Sequence, residues 1–105
     1  MAHIMSQTPL TTVRKTVDTG PGGSINALAA SNYSGGAVVF KVYLVPLIRA
    51  SSTITDHLVW IASCASNTTV ALDLNRNSIQ LGTDKYRLEA EAASASAITL
   101  TVLGS

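Results

Sequence analysis

The chain is short of charge. Only 12% of its 105 residues are Asp, Glu, Lys or Arg, about half the share found in an ordinary soluble domain. Seven Lys and Arg against six Asp and Glu give a formal net charge of +1, and the basic residues are scattered rather than clustered. Nucleic-acid-binding proteins carry basic patches, so we expect no nucleic-acid partner. A surface with so few charges is typical of a subunit inside an assembly, which predicts a homo-oligomer.

Cysteine and long apolar runs are also scarce. The single Cys64 cannot close an internal disulfide, and its place two residues after Ala62 in an apolar run predicts a buried side chain. No apolar run reaches the roughly 18 residues that a membrane-spanning helix needs. The start, "MAHIMSQTP", lacks the features of an export signal, so we expect no membrane partner. Residues 1–9 are predicted to form a flexible arm, partly vector-derived, before a single domain over residues 10–105.

What the chain does have is an alternation of apolar and polar residues with a period of two, which is typical of strands with one buried face. In "KYRLEAEA" the charges fall at every odd position from Lys85 to Glu91, so the even positions are predicted to face inward. Three further segments follow the same scheme. The inward residues predicted in this way are Val38, Phe40, Val42 and Leu44; Val70, Leu72 and Leu74; Tyr86, Leu88, Ala90 and Ala92; and Ile98, Leu100 and Val102.

Weaker segments complete the fold prediction. Lys15 falls on the apolar side of its segment and marks an edge strand. Residues 58–64 are apolar on both faces, with Trp60 and Cys64 on the inner one. The inner set predicted for "SINALAAS" is Ile25, Ala27 and Ala29. Turns rich in Gly, Asn, Ser and Pro separate these runs. The sequence therefore predicts an all-β fold, an antiparallel β-sandwich or jelly roll of about eight short strands.

No group of residues demands catalysis. The stretch "DLNRNSIQLGTD" has the spacing of a calcium loop, with Asp73, Asn75, Asn77 and Asp84 at the first, third, fifth and twelfth positions. However, Ser78 stands where the sharp turn needs Gly, and Asp84 where a bidentate Glu is usual. Asp56 and His57 are adjacent on a strand and point to opposite faces, so we do not expect a catalytic pair. One Cys and two distant His do not supply a zinc site. We therefore expect a protein that is not an enzyme and that has no cofactor and no metal.

Apolar residues that point away from the core are the candidate functional residues. Tyr43 lies opposite the core face of its strand, where a partly covered surface residue and an interface anchor are equally compatible with the pattern. Outward apolar side chains need a cover. The residues predicted to form an interface are Leu28, Val39, Tyr43, Val45, Val59 and Ile61.

The order of turns and strands carries a family resemblance. A Gly-rich turn, a strand ending near Asn, a second Gly turn and a "VYLVP" strand are followed by a polar turn, a Leu-rich strand, a further turn and a closing strand that ends in Gly. This order, over residues 12–104, resembles a family of small all-β virion proteins of tailed bacteriophages. The turn "LGTD" is one residue longer than in that family, where Gly directly precedes Asp. The match is carried by Asn32, Gly35, Gly36, Val42 to Pro46, Leu81 to Asp84 and Gly104.

The resemblance implies a structural component of a phage particle, located in the virion. Our first expectation is a capsid decoration or cement protein that self-associates and binds the shell surface, with the major capsid protein as partner. The alternatives are a neck or tail accessory that contacts tail or neck proteins, and a receptor- or carbohydrate-binding module. The predicted mechanism is burial of outward apolar faces together with strand addition at free edges.

Overall fold

The chain builds two stacked antiparallel sheets. The computed structural model describes residues 3–17, 24–46, 58–74, 79–80 and 86–104. Within them every regular element is a strand, and no helix is long and apolar enough to cross a membrane. The strands are β1 (His3–Pro9), β2 (Lys15–Val17), β3 (Ser24–Asn32), β4 (Val38–Pro46), β5 (Leu58–Cys64), β6 (Thr68–Asp73), β7 (Ile79–Gln80), β8 (Tyr86–Ala92) and β9 (Ile98–Gly104). The predicted all-β sandwich is confirmed.

The strands pair in a nested order. One sheet has the order β1-β9-β3-β6, with β7 pairing with β3 beside β6, and the other has the order β2-β8-β4-β5. The first strand thus pairs with the last and the second with the next to last, and every pair is antiparallel. β5 and β6 contact each other across the two sheets and form one side of the sandwich. A jelly roll has this nested order of strands. The assignment of the sandwich to the jelly-roll type stays a prediction.

The core lies between the two sheets and follows the predicted alternation. Phe40 of β4 is fully buried and meets Trp60 of β5 edge to face, with ring centroids 4.8 Å apart. In β9, Ile98, Leu100 and Val102 are fully buried while the intervening threonines are half-buried. Each such aliphatic side chain stabilises the fold by about 1.5–3 kcal/mol relative to an exposed one. The strict alternation of these segments therefore identified the core correctly.

A β-bulge in β3 changes which of its residues face the core. Asn26 is an extra residue relative to β9, and it shifts the register between the two strands. Beyond the bulge Leu28 and Ala30 are fully buried, whereas Ala27 and Ala29 are only half-buried. The predicted inner set is therefore wrong at Ala27 and Ala29, because one inserted residue moves every following side chain to the other face.

The segment predicted as a flexible arm contains a strand. Residues 3–9 form β1, which pairs with β9 from His3 opposite Gly104 to Pro9 opposite Thr99. The backbone hydrogen bonds of an added edge strand stabilise it without a regular side-chain alternation. The structure thus extends the sandwich into the predicted arm.

Gly104 lies where three strands approach closely. It is buried at the end of β9, between β1 and β3. A Cβ atom at this position would collide with the backbone carbonyl of Ser24 and the sulfur of Met5. Only glycine allows such an approach, so Gly104 fixes how tightly the end of β9 fits between its neighbours.

Tyr86 differs from its predicted inward placement. It is exposed at the start of β8, where it pairs with Pro46, the last residue of β4. Both residues lie at the ends of their strands, so Tyr86 extends past the part of the sheet that covers the core. The remaining even positions of β8, Leu88, Ala90 and Ala92, are buried as predicted.

Candidate functional site

The outer face of the four-stranded sheet carries most of the predicted interface residues. Alternate residues of β4 point away from the core there, and Lys41, Tyr43 and Val45 each lie directly opposite a residue of β8. Tyr43 faces Glu89 and Val45 faces Arg87 in this register. The outward residues of the sheet include Val39, Lys41, Tyr43 and Val45 of β4, Val59, Ile61 and Ser63 of β5, Arg87, Glu89 and Glu91 of β8, and Thr16 of β2.

Glu89 is a fully buried carboxylate on this outer face. Its Oε1 accepts a hydrogen bond from Arg14 Nε at 2.7 Å, and its Oε2 accepts one from Arg87 Nε at 2.6 Å. The side chains of Arg14 and Arg87 are only 8% and 14% exposed, so all three charges are largely removed from water. Burial raises the pKa of Glu89, but the hydrogen bonds from Arg87 and Arg14 outweigh it and hold the pKa below its usual range.

Arg14 also covers Tyr43. Its guanidinium carbon lies 3.7 Å from the centre of the Tyr43 ring, a cation–π arrangement. The Tyr43 hydroxyl donates a hydrogen bond to Glu91 Oε1. Burial, followed by that hydrogen bond and the charge of Glu91, raises the pKa of Tyr43 to about 12. The hydroxyl therefore stays protonated and remains a donor at neutral pH.

These contacts fasten one segment of the chain onto the sheet. Arg14 belongs to the linker between β1 and β2, and its contacts with Tyr43 and Glu89 hold that linker on the outer face. A carboxylate with a guanidinium on each oxygen is held ionised, so it is not suited to give or take a proton at neutral pH. We call the set Arg14, Tyr43, Arg87, Glu89 and Glu91 the arginine-capped half of the face.

The other half of the face is apolar and open. Val39 is 42% exposed, Val59 43% and Ile61 53%. β5, which carries two of them, forms the edge of the sheet and pairs only with β4 among the described strands. We call these three residues the apolar margin. They are the predicted interface residues that the folded chain leaves accessible.

The other three predicted interface residues lie inside the folded chain. Tyr43 and Val45 point to the outer face as expected, yet both are buried. Tyr43 is buried because the Arg14 side chain lies over its ring. Leu28 is fully buried in the core, because the bulge at Asn26 turns it inward. Their placement differs from the prediction, since a partner cannot reach these side chains without unfolding the chain.

A groove of about 330 Å³ borders Glu91 of the arginine-capped half and Val39 of the apolar margin. Its lining includes Thr12 of the linker together with Val39, Lys41 and Glu91. Lys41 and Glu91 are direct partners on β4 and β8, so opposite charges line the two strands of the groove. Phe40 also borders the groove but is fully buried, so its ring offers no stacking surface. The volume is at the lower end of the roughly 300–1,000 Å³ usual for ligand pockets.

Asn32 joins two turns at one end of the sandwich. Its Nδ2 donates hydrogen bonds to the carbonyls of Gly36 and Cys64, each at 2.8 Å. Its Oδ1 accepts from the backbone N–H and the hydroxyl of Ser34, and Ser66 donates to the Ser34 carbonyl. Because these polar groups satisfy one another, the cluster stabilises the turns and presents no free ligand group. Cys64 is fully buried beside it, as predicted.

The sequence does not reveal that the charged side chains of Arg14, Arg87 and Glu89 are largely buried. Alternation predicts Glu89 as an exposed residue of β8, and it gives Arg14 no special role. One local signal is present, because Glu89 has Arg87 two residues before it on the same face. The second arginine comes from 75 positions away in the chain, which no local pattern shows.

Other features named from the sequence lie outside the described residues. These are Asp56 and His57, the turn from Leu81 to Asp84, and three of the four calcium-loop positions, Asn75, Asn77 and Asp84. Asp73, the first calcium-loop position, ends β6. Within the described ranges, no group of three His, Cys, Asp or Glu is placed to hold a metal ion. In comparisons with known proteins, no family model, no curated protein and no solved structure matches the chain.

Proposed function

We propose that this chain is a structural subunit of a bacteriophage particle, a capsid decoration or cement protein that self-associates and binds the shell surface. Its role is non-enzymatic and its place is the virion, with the major capsid protein as first partner. The phage context comes from the resemblance in turns and strands. The mode of binding comes from the apolar margin.

The apolar margin is the observation that carries the proposal. Val39, Val59 and Ile61 are each more than two fifths exposed; Val59 and Ile61 lie on the edge strand β5, and Val39 lies on β4 diagonally across from Ile61, whose direct partner is Lys41. Exposed apolar side chains grouped at one edge of a sheet are typical of an interaction site. Covering it with a partner stabilises the complex by roughly 25 cal/mol for each Å² removed from water. A subunit that adheres to neighbours needs this kind of surface and needs no reactive group.

The strand order supports a jelly-roll connection of the sandwich, which we include in the proposal. The nested pairing leaves β1, β9, β3 and β6 in one sheet and β2, β8, β4 and β5 in the other. Two interleaved Greek keys produce this kind of order, and such double sheets occur in viral capsid domains and in lectins. The topology therefore suits both the decoration role and a sugar-binding alternative.

The exposed aromatic residues favour decoration over sugar binding. Tyr33 is exposed in the turn before β4, and Tyr86 is exposed beside Pro46 at the other end of β4. They are thus separated by the length of that strand. Sugar platforms usually display exposed aromatic rings, and the two exposed tyrosines among the described residues do not share one surface. A neck or tail accessory uses the same apolar margin, so its location in the particle separates it from a decoration protein.

Immunogold electron microscopy of particles from a phage whose genome encodes the chain tests the location. Antibodies raised against the purified protein should label the shell over its whole surface. Label confined to the neck or tail would replace decoration with the accessory role. Unlabelled particles would contradict the phage assignment. Strong binding of the purified chain on a glycan array would favour the carbohydrate-binding alternative.

Light scattering on the purified chain tests self-association. The expected result is a mass of at least twice the 10.9 kDa of one chain. A mass of one chain at every concentration measured would contradict self-association, whatever the microscopy shows.

A further inference from the structure

We propose that two copies of this chain pair through β5, running antiparallel with Ile61 opposite its own copy, so that two four-stranded sheets join into one of eight strands. The pairing rests on the self-association in the proposed function and names the surface that produces it. A two-fold axis through Ile61 relates the copies, so a single strand supplies both sides of the contact.

β5 has a backbone edge that no described strand occupies. On its other side it pairs with β4, from Val38 opposite Cys64 to Val42 opposite Trp60. Val59 is an extra residue at the start of β5, and the pairing from Trp60 to Cys64 is regular. The N–H and C=O groups on an open edge form a template for another strand. An identical edge supplies groups with the required spacing.

The other edge strands carry features that discourage such pairing. β1 is interrupted by a bulge at Met5 and ends in Pro9. β2 has only three residues, one of them Lys15, and β6 ends in Asp73. Charges, prolines, bulges and short length are the usual protections of a sheet edge. Among the described edge strands longer than two residues, β5 alone has neither a charge nor a proline.

Side-chain size and polarity set the register. Centred on Ile61, the pair places two exposed isoleucines side by side on the outer face and sets Trp60 opposite Ala62 on the inner face. Centred on Ala62, it would place Ile61 opposite Ser63 and bury less apolar surface. A shift by one residue would turn outward side chains of one copy against inward ones of the other. Centred on Trp60, it would place Val59 opposite Ile61, but Val59 is the extra residue at which the pairing with β4 is irregular. Among the registers whose central pairs use only the regular residues from Trp60 to Cys64, the Ile61 register buries the most apolar surface.

The pairing also covers the open side of the sandwich. β5 and β6 contact each other across the sheets on this side. Their inward residues Trp60, Val70 and Leu72 pack against the core but are only half-buried. A second copy placed at β5 brings its own β5 and β6 to the same side, which removes more of these side chains from water.

Cysteine cross-linking tests the register. Facing residues of antiparallel strands have Cα atoms roughly 4.5–5.5 Å apart, within the roughly 4.4–6.8 Å of a disulfide. Under mild oxidation, the Ile61→Cys variant should form a disulfide-linked dimer, which runs at twice the mass of one chain on a non-reducing gel. Val39→Cys, on the same face but off the edge strand, should remain a single chain, as should the wild type with its buried Cys64.

Cross-linking of Ile61→Cys no stronger than that of Val39→Cys would overturn the proposal. Cross-linking only in a mixture of Ile61→Cys and Ser63→Cys would overturn the register.

A charge substitution tests the pairing without oxidation. Because residue 61 faces itself, Ile61→Lys sets two ammonium groups side by side, where like charges repel. We expect its association constant in sedimentation to fall at least tenfold. Val39→Lys places the same charge on the same face away from the edge, and should change the constant by less than about twofold. Circular dichroism checks that both variants are folded. A larger effect of Val39→Lys would mean that copies dock by the sheet face, and would overturn edge pairing.

The pairing and the proposed function fail in different experiments. If the particles are labelled and the wild type self-associates but Ile61→Cys does not cross-link, edge pairing is wrong and the decoration role stands. If Ile61→Cys cross-links and the particles are unlabelled, the dimer stands and the phage assignment is wrong.

Discussion

The two halves of the outer sheet face share β4 but are covered in opposite ways. In the arginine-capped half a charged residue, Glu89, has no exposure, and in the apolar margin Ile61 is 53% exposed. This reverses the usual placement of charged and apolar side chains. The difference arises because the linker that carries Arg14 lies over the first half, whereas no described segment lies over the margin. Exposure on this face is therefore decided by which segment covers a residue and not by its polarity.

The two halves also differ in what they contribute to the protein. A buried ion pair is costly to desolvate, so it stabilises little compared with an apolar group, but losing one partner is strongly destabilising. The arginine-capped half thus fixes the position of the linker. The apolar margin contributes little to the isolated fold and is available for a partner. Four predictions test this division, beginning with the largest effect.

Removing the Glu89 carboxylate should break the arginine-capped half. We expect Glu89→Ala to lower the free energy of unfolding by about 3–5 kcal/mol, because two largely buried guanidinium groups lose their shared anion. Denaturant unfolding measures the change. The matched control is Glu91→Gln, two residues along the same face, which keeps an acceptor for Tyr43 and should cost less than about 1.5 kcal/mol. Equal losses in the two variants would show that Glu89 has no special role.

Acid should remove the stabilisation that the Glu89 ion pairs give the wild type. Because the folded-state pKa of Glu89 lies below that of the unfolded chain, its ion pairs stabilise the fold above the ordinary carboxyl pKa of about 4.3. That stabilisation is lost as the pH falls through the lower folded-state pKa. The difference in unfolding free energy between the wild type and Glu89→Gln should be constant from about pH 7 to about pH 5 and shrink below about pH 4. A difference that grows in acid would contradict the pairing.

Alkali should destabilise the fold through Tyr43, because the pKa of Tyr43 is raised whereas that of Glu89 is lowered. The folded-state pKa is raised to about 12, so the stabilisation from the protonated hydroxyl is present below the ordinary pKa of about 10 and is lost as the pH rises toward 12. We expect the wild type to lose about 2 kcal/mol over this range relative to Tyr43→Phe. Tyrosinate absorbance during titration, compared between the wild type and Tyr43→Phe, should show Tyr43 ionising near pH 12. Ionisation of Tyr43 near its ordinary pKa of about 10 would contradict the buried hydrogen bond.

The apolar margin should tolerate change in the isolated fold. Ile61→Lys is expected to lower the unfolding free energy of the monomer by no more than about 1 kcal/mol, because the new charge lies directly opposite Lys41 on an exposed face. Unfolding measured at several dilute protein concentrations separates this value from any effect of association. Tyr43→Lys, at an outward position in the other half, should cost several times more. If Ile61→Lys also unfolded the monomer, the margin would belong to the fold.

Alternation predicts strands and inner faces where the register is unbroken, as in β8 and β9. It fails at bulges, because Asn26 inserts one residue into β3 and thereby moves Leu28 from a predicted interface into the core. It identified Val59 and Ile61 as outward and exposed, since the register shift lies at the start of β5 and the pairing from Trp60 to Cys64 is regular.

The arginine-capped half was not predictable for a different reason. The alternation of residues placed Tyr43 and Glu89 on the outer face correctly, but the burial of these two side chains depends on Arg14. Arg14 reaches them only because β2 pairs with β8 and brings the preceding linker over the sheet. Such a contact follows from the order of strands, and hydropathy along the chain carries no information about it.

The place of β9 between β1 and β3 has a consequence for synthesis. β1 leaves the ribosome first, yet its partner in the described fold is made after every other strand. Until β9 emerges, β1 has no neighbour and one edge of β3 stays open, which leaves apolar strands exposed to aggregation and to chaperones. A messenger RNA that lacks the codons for Ile98–Gly104 would therefore yield a chain without β9, a central strand of the five-stranded sheet, and such a chain exposes the surfaces that chaperones recognise.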